Sequence, residues 1–209
     1  MRNWLAGASA VASALAISAG VIVLTWIPPE TPVSFAEPAV LPGEDGAPLA
    51  LPADSATRGQ RPGTIRLPEG GLAKLVRSEV NADGILPIPR GLQDAAWWGA
   101  RLGADSGTAL ISGHVNWGGA EGPFDELWRM RDGQEVSVSD AAGGIWTYRV
   151  REVVTVHKND LPARAAKLFT QSGPHRLVLV TCGGDYLGGT DGYRDNRVVV
   201  ATPVSGPPA

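Results

Sequence analysis

Cysteine is almost absent from this chain, which contains Cys182 and no other cysteine. A single cysteine excludes an intramolecular disulfide and any zinc site built from several thiolates. Histidine is scarce as well, and His114, His157 and His175 lie far apart with no metal-ligand spacing. The sequence therefore predicts no metal site and no cofactor.

The chain also lacks an excess of positive charge. Its 18 lysines and arginines are outnumbered by 21 aspartates and glutamates, and the formal net charge is -3 at pH 7. Non-specific nucleic-acid binding requires a basic face, so this class of function is disfavoured. With 209 residues, of which 44% are hydrophobic, the chain has enough material for one packed domain and a tail.

Charge is missing altogether from Trp4 to Ile27. As a helix this run would be about 36 Å long, enough to cross a hydrocarbon core of about 30 Å. Arg2 precedes it, which favours a cytoplasmic amino terminus. We expect a single-pass anchor over residues 1–27, with the rest of the chain on the extracytoplasmic side of the cell membrane. The alternative is a signal sequence cleaved near Ser34-Phe35-Ala36.

Residues 28–61 are interrupted by seven prolines and show no regular period, as expected of a linker. The folded domain is expected over 62–205, with a short tail at 206–209. Within the domain, short apolar runs alternate with turn residues, which predicts an all-β closed barrel or sandwich. The runs are Leu72 to Val76, Ile85 to Ile88, Thr108 to Ser112, Glu135 to Val138, Ile145 to Val156, Arg176 to Thr181 and Val198 to Pro203. Short helices are expected within Pro123 to Met130 and Leu161 to Phe169.

Two of these strands end on residues with nucleophilic or acid–base chemistry. The run from Leu177 ends on Cys182, before a glycine-rich loop, and the run from Thr108 ends on Gly113-His114. Cysteine is a strong nucleophile only as the thiolate, and a nearby histidine can exchange its proton. A lone cysteine is also a common core residue, so the thiol alone does not establish catalysis.

Two arginines follow Cys182 in the sequence, before or at the start of the next apolar strand. Arg194 lies about a dozen residues after Cys182, and Arg197 lies directly before the next apolar strand. A permanently charged guanidinium can stabilise the oxyanion that forms when a thiolate attacks an amide. We therefore expect Cys182, His114 and Arg194 to form an acyl-transfer site, with Arg197 as the alternative arginine.

These motifs resemble the sortases, the cysteine transpeptidases of Gram-positive bacteria. The family signature Thr-Leu-x-Thr-Cys corresponds to Val178 to Cys182, with the first threonine replaced, and Ile111 to His114 matches the upstream Gly-His. The segments Phe124 to Leu127 and Asp132 to Val136 also look like the region after the sortase histidine. Cys182-Gly183-Gly184 with Tyr193 to Asn196, together with Val80 to Gly84, looks like the class F branch found in actinobacteria.

The resemblance implies an eight-stranded barrel in a membrane-anchored enzyme. Its substrates would be surface proteins with a C-terminal Leu-Pro-x-Thr-Gly-like sorting signal, cleaved between Thr and Gly through a thioester. A cell-wall precursor or protein amine would accept the acyl group. It also implies Cys182 as nucleophile, His114 as general acid and Arg194 as the oxyanion or substrate-positioning group, and we expect Thr181 to contact substrate.

The sequence leaves other interpretations of some residues, and of the function, open. Trp98, next to Trp97, either packs in the barrel or lines the peptide groove. Asp185, Asp191 and Asp195 suit a solvated loop better than a calcium site. An L,D-transpeptidase that crosslinks peptidoglycan would carry a Ser-x-Gly-Cys-x-Arg-like pattern, which Val180 to Gly183 does not fit. A non-catalytic cell-surface β-domain is the third possibility.

Overall fold

The computed structural model describes residues 60–82, 84–189 and 192–207. The expected anchor (1–27) and nearly all of the expected linker (28–61) lie outside these residues. Within the described part, no helix has both the length and the apolar character needed to cross a membrane.

Eight strands close into a barrel in the order β1-β2-β3-β4-β9-β10-β8-β7. A separate two-stranded hairpin, β5–β6, follows β4. The strands are β1 Thr64–Arg66, β2 Leu72–Arg77, β3 Asp94–Gly99, β4 Thr108–Gly113, β5 Asn116–Trp117, β6 Ala120–Glu121, β7 Glu135–Ser139, β8 Ile145–His157, β9 Arg176–Gly188 and β10 Gly192–Ser205. A 3₁₀ helix spans Pro123–Trp128, and helix α1 spans Leu161–Leu168. The expected all-β closed barrel is confirmed.

Two of the eight contacts around the barrel are parallel, β2 with β3 and β4 with β9. Parallel neighbours need a crossover connection, and the one between β4 and β9 carries the hairpin, both helices, β7 and β8. The β4–β9 register runs from Thr108 opposite Arg176 to Ser112 opposite Val180. Hence the carboxyl end of β4 meets the middle of β9.

The apolar parts of β9 (177–181) and β10 (198–201) are buried on both faces, which explains their unbroken apolar runs. Inside the barrel, Leu177 and Leu179 join the main core with residues from all the other barrel strands. On the outer face, Val178 and Val180 belong to a second apolar cluster, which helix α1 and Phe169 help to cover. Because side chains alternate along a strand, odd-numbered residues of this part of β9 face inward and even-numbered residues face outward.

The structure corrects several strand expectations. Strand β9 does not end at Cys182; it continues to Gly188, and β10 begins at Gly192, so the expected loop is mostly a β-hairpin. Its glycines pair through the backbone and leave no apolar pattern in the sequence. No strand forms over 85–88, where Pro87 removes a backbone donor. Strand β3, which contains Trp97 and Trp98, was not expected.

Candidate active site

Cys182 lies on β9 where the outer face changes from apolar to exposed. Val180, two residues earlier on the same face, is buried, whereas Cys182 is exposed. The surrounding protein nevertheless shields the sulfur enough to raise the pKa of the Cys182 thiol above its ordinary value. The resting thiol is therefore neutral at physiological pH and requires a partner that takes its proton.

The β4–β9 register brings His114 towards this thiol. Ser112 lies opposite Val180, and the Thr181 hydroxyl donates a hydrogen bond of 2.9 Å to the Gly113 carbonyl. The paired residues end at Ser112 and Val180, and His114 and Cys182 each follow two residues later, His114 just past the end of β4. Alternation along β9 from Val180 puts the Cys182 side chain on the outer face.

Backbone contacts define the tautomer of His114. Its Nε2 lies 2.8 Å from the carbonyl oxygen of Pro89, in the crossover between β2 and β3. Since a carbonyl can only accept, Nε2 carries a proton, which leaves Nδ1 as the nitrogen that can act as a base. Within the described residues Nδ1 has no hydrogen-bond partner. The ring also stacks at a tilt against Trp117, with 4.8 Å between centroids.

Thr181 occupies the position expected for a substrate contact, but its hydroxyl is used internally. The residue is 1% exposed, and its hydroxyl donates to Gly113, as above. It faces the barrel interior, opposite Arg197 in the register. The geometry therefore shows Thr181 joining β9 to β4 beside Cys182, and its contact with substrate stays a prediction.

The two candidate arginines of β10 contact different parts of the protein. Asn196 lies opposite Cys182 and Arg197 lies opposite Thr181, so Arg197 is on the inner face. The pairing shifts between Tyr193 and Asp195, so this register does not extend to Arg194. Arg194 is ion-paired with Asp185 and, at 3.0 Å, with Asp195. The hydrogen bond to Asp195 and the charges of both aspartates raise the pKa of the Arg194 guanidinium. Arg194 thus stays charged, two residues before Asn196, the residue paired with Cys182.

Arg197 is half-buried and is held by three contacts with other parts of the protein. Its guanidinium donates to the Leu127 carbonyl at 3.3 Å and to the Thr155 hydroxyl at 2.8 Å. It also lies 5.4 Å from the ring centroid of Trp128, within cation–π range. Neither arginine, among the described contacts, forms a hydrogen bond with the Cys182 sulfur.

Trp98 packs at a distance from the thiol along the same face. It is half-buried, lies opposite Leu110 in the β3–β4 register, and contacts the outer apolar cluster. Trp97 faces the inner core, and its indole donates to the Ala100 carbonyl. A contact between Trp98 and substrate remains a prediction.

Trp128 is a site residue that the sequence did not indicate. Its indole nitrogen donates to the Cys182 carbonyl at 3.1 Å. A Cβ atom at Gly183 would overlap this indole ring, so only glycine allows such close packing. The 3₁₀ helix that carries Trp128 is held by Glu126, whose buried carboxylate accepts backbone N–H bonds from Glu69 and Gly71. Burial raises the pKa of the Glu126 carboxyl.

An open cleft of about 360 Å³ begins just past the nucleophile. Trp128 and Gly183–Gly184 form one wall, and the β5–β6 hairpin forms another. The Asn116 side chain donates to the Tyr193 hydroxyl and so links this hairpin to β10. Gly183, the neighbour of Cys182, lines this cleft. No group of histidine, cysteine and acidic side chains suited to a metal ion occurs in the described part of the chain.

Comparisons with known proteins agree with this geometry. Residues 80–204 match the model of the Sortase domain family. No curated protein matches the chain.

Several solved sortase structures share the fold at low sequence identity. The SrtA sortase from Actinomyces oris is 19% identical, with a TM-score of 0.51 over 71% of this chain and 82% of that one. Sortase E1 from Streptomyces coelicolor, solved with a tripeptide in its active site, is 16% identical, with a TM-score of 0.52 over 71% and 90%. Sortase C from Streptococcus pneumoniae is 18% identical, with a TM-score of 0.51 over 72% and 73%. The chain, with a barrel of this topology and a family match over more than half its length, belongs to the sortase family of cysteine transpeptidases.

Proposed function

We propose that this sortase cleaves a Leu-Pro-x-Thr-Gly-like sorting signal between Thr and Gly and joins the new carboxyl end to an amine. The observation that supports this proposal is the β4–β9 register, from which His114 and Cys182 follow at the same end of the two strands. A nucleophile and a proton carrier on adjacent strands are the minimum equipment for acyl transfer through a thioester.

In the first half-reaction the Cys182 thiol passes its proton to His114 Nδ1, and the sulfur attacks the threonine carbonyl. The carbon–sulfur bond forms, and the charge of the tetrahedral oxyanion is stabilised by Arg194. Collapse breaks the Thr–Gly bond, and the glycine amine leaves with the proton from His114. The thioester then holds the acyl group on Cys182.

In the second half-reaction the acceptor amine reaches the thioester, for which the open cleft offers an approach. The amine attacks the acyl carbon and gives a proton to His114, and Cys182 leaves as thiolate and recovers that proton. Bonds and protons balance without an external cofactor. On the cell surface the acceptor would be a cell-wall precursor or a protein amine.

Arg194 is favoured over Arg197 as the oxyanion group because its contacts with the protein are easier to exchange. To reach an oxyanion it would exchange part of its contact with Asp185, which is an exposed residue. Arg197 would instead have to abandon an inner-face carbonyl, a hydroxyl and an indole ring.

Mass spectrometry of the purified chain with sorting-signal peptides tests the proposal. A mass increase equal to the acyl fragment should map to Cys182, with release of the glycine-containing fragment. Cys182→Ala is the matched control and should give neither product. Failure of the wild-type protein to form an adduct with any member of a peptide library varied at each motif position would refute the proposed substrate class.

We further propose that the protein acts at the cell surface and belongs to the class F branch. The uncharged run from Trp4 to Ile27 supports a membrane anchor, and the segments after Cys182 and around Tyr193 to Asn196 support the class. Cell fractionation followed by protease treatment of intact, wall-stripped cells tests the location. Recovery of the domain in the cytosolic, protease-protected fraction would contradict it. An amino-terminal mass beginning after Ala36 would show cleavage in place of a retained anchor.

A further inference from the structure

Asn196 is the polar side chain that meets the nucleophile most directly. It lies opposite Cys182 in the β9–β10 register, and the Cys182 sulfur is 3.8 Å from its Oδ1. Residues directly opposite on antiparallel strands share a face and bring their Cβ atoms to about 5 Å. Contact with the thiol therefore follows from the backbone register itself.

The backbone of Asn196 is held from both sides. Strand β10 lies between β9 and β8, and Asn196 pairs with Cys182 on one side and Val156 on the other. The side chain is half-buried. Its carboxamide consequently has few positions available, and the sulfur lies within reach of them.

The surroundings of Cys182 do not stabilise the thiolate form of its side chain. Burial disfavours the charged thiolate, and both nearby arginines are engaged with other partners. A carboxamide has an acceptor edge and a donor edge. Its oxygen suits a protonated thiol, and rotation about the Cβ–Cγ bond offers Nδ2–H to a sulfur that has lost its proton.

We infer that Asn196 is a further catalytic residue of this sortase, whose carboxamide accepts the S–H hydrogen bond of resting Cys182 and donates Nδ2–H to the sulfur once it is ionised. The inference rests on the proposed function for its place in the reaction. The proton itself goes to His114, and Asn196 neither gains nor loses one. When the sulfur attacks the carbonyl carbon, the same N–H loses its charged acceptor and releases the sulfur to bond formation.

Alkylation of Cys182 by iodoacetamide, followed across pH without any peptide, tests this role. Wild type should react fastest at neutral pH, Asn196→Ala about 10-fold more slowly, and Asn196→Asp more slowly still. Alanine loses a donor to an ion, which is worth about 10-fold or more. Aspartate keeps the size and the acceptor oxygen but replaces the donor with a negative charge, which opposes the thiolate.

The order of the alkylation rates of Asn196→Ala and Asn196→Asp distinguishes this hydrogen-bonding role from simple packing. If Asn196 only filled space, the nearly isosteric aspartate would react like wild type and alanine would be the slower variant; that order would overturn the inference. Equal rates in all three proteins would overturn it too. If Asn196→Asp fails to fold, as judged by its melting curve, Asn196→Thr replaces it. The threonine hydroxyl can donate, so its rate should exceed that of alanine, and a rate equal to that of alanine would count against the inference.

Asn159→Asp is the matched charge control, because Asn159 is exposed and lies beyond β8, outside the cleft. It should alkylate at the wild-type rate; a slowing equal to that of Asn196→Asp would attribute the effect to net charge and overturn the inference. The peptide-adduct assay distinguishes the two proposals. Alkylation in the expected order without a peptide adduct in wild type would refute the proposed substrate and leave Asn196 supported. A peptide adduct in wild type together with equal alkylation rates in the variants would support the proposed substrate and refute the role of Asn196.

Discussion

The two ends of the β4–β9 strand pair each hold a histidine, and the two sites are built in opposite ways. His175 precedes β9 at the amino end, and His114 follows β4 at the carboxyl end. His175 is 6% exposed, and both ring nitrogens are bonded, Nδ1–H to the Gly107 carbonyl and Nε2 to the Tyr148 hydroxyl. His114 is half-buried and has only Nε2 bonded to a described residue.

The difference shows what makes a histidine available for catalysis. Burial lowers the pKa of His175 and raises the pKa of Tyr148 to about 12, so both groups stay neutral and hold the core together. At the other end, one backbone carbonyl orients the ring and leaves Nδ1 to exchange protons. Full hydrogen bonding gives stability at one end, and partial hydrogen bonding permits chemistry at the other.

The strongest test of this contrast is His114→Ala. Losing the proton carrier should reduce the rate of peptide cleavage by about 100- to 10,000-fold, while the melting temperature changes little because the residue has one hydrogen bond. Peptide turnover and differential scanning calorimetry measure the two quantities. Full activity in this variant would remove His114 from the mechanism and undo the contrast.

Arg194→Ala and Arg197→Ala should repeat the contrast across β10. Loss of Arg194 is expected to lower kcat by about 100-fold, as for removal of one oxyanion donor, with little change in stability since its ion pairs are exposed. Loss of Arg197 should destabilise the fold by about 1–2 kcal/mol, because it leaves the Leu127 carbonyl without its side-chain donor. The same kinetic and calorimetric measurements apply, and the opposite assignment would make Arg197 the functional arginine.

Tyr148→Phe tests the amino end of the β4–β9 pair, where both ring nitrogens of His175 are hydrogen-bonded. Removing the hydroxyl leaves the buried Nε2 of His175 without a donor, at a cost of about 1–3 kcal/mol. The melting temperature should fall by several degrees, and peptide cleavage at a temperature well below the transition should be unchanged. An activity loss with no change in melting temperature would show that the two ends are not independent.

The smallest expected effect is the pH dependence of the free energy of unfolding that comes from His175. Because the folded-state pKa of His175 is depressed below its ordinary 6.5, the unfolded chain binds the proton more tightly. This contribution to stability is present above about pH 6.5 and is lost as the pH falls through the lower folded-state value. Urea unfolding between pH 7.5 and 5 should show the decline, and His175→Gln should flatten it. An identical slope in both proteins would assign the decline to other groups.

The sequence predicted those parts of the fold and site that depend on side-chain pattern. The runs ending at Thr181 and starting at Val198 were visible because both of their faces are buried. The motifs around Cys182 and His114 indicated the chemistry correctly enough to name the family. By contrast, β9 beyond Cys182 pairs through its backbone, and glycines there gave no strand signal.

What the sequence missed depends on register and on contacts between distant segments. Asn196 belongs to the motif Tyr193 to Asn196, yet its position opposite Cys182 appears only when β9 and β10 are aligned. Nothing near Trp128 indicated that its indole would reach the Cys182 carbonyl. The Pro89 carbonyl that orients His114 carries no side-chain signal at all, since every residue has a carbonyl.

The hydrogen bond from Thr181 to Gly113 spans 68 residues of sequence, and this separation has a consequence for folding kinetics. Closing so long a segment must precede the contacts that reward it, which makes parallel pairings slow to form. The hairpin β9–β10 can form by itself from neighbouring residues, whereas the β4–β9 contact requires the long intervening segment to close. We therefore expect Cys182 to pair with Asn196 early in folding and the β4–β9 contact beside it to form late.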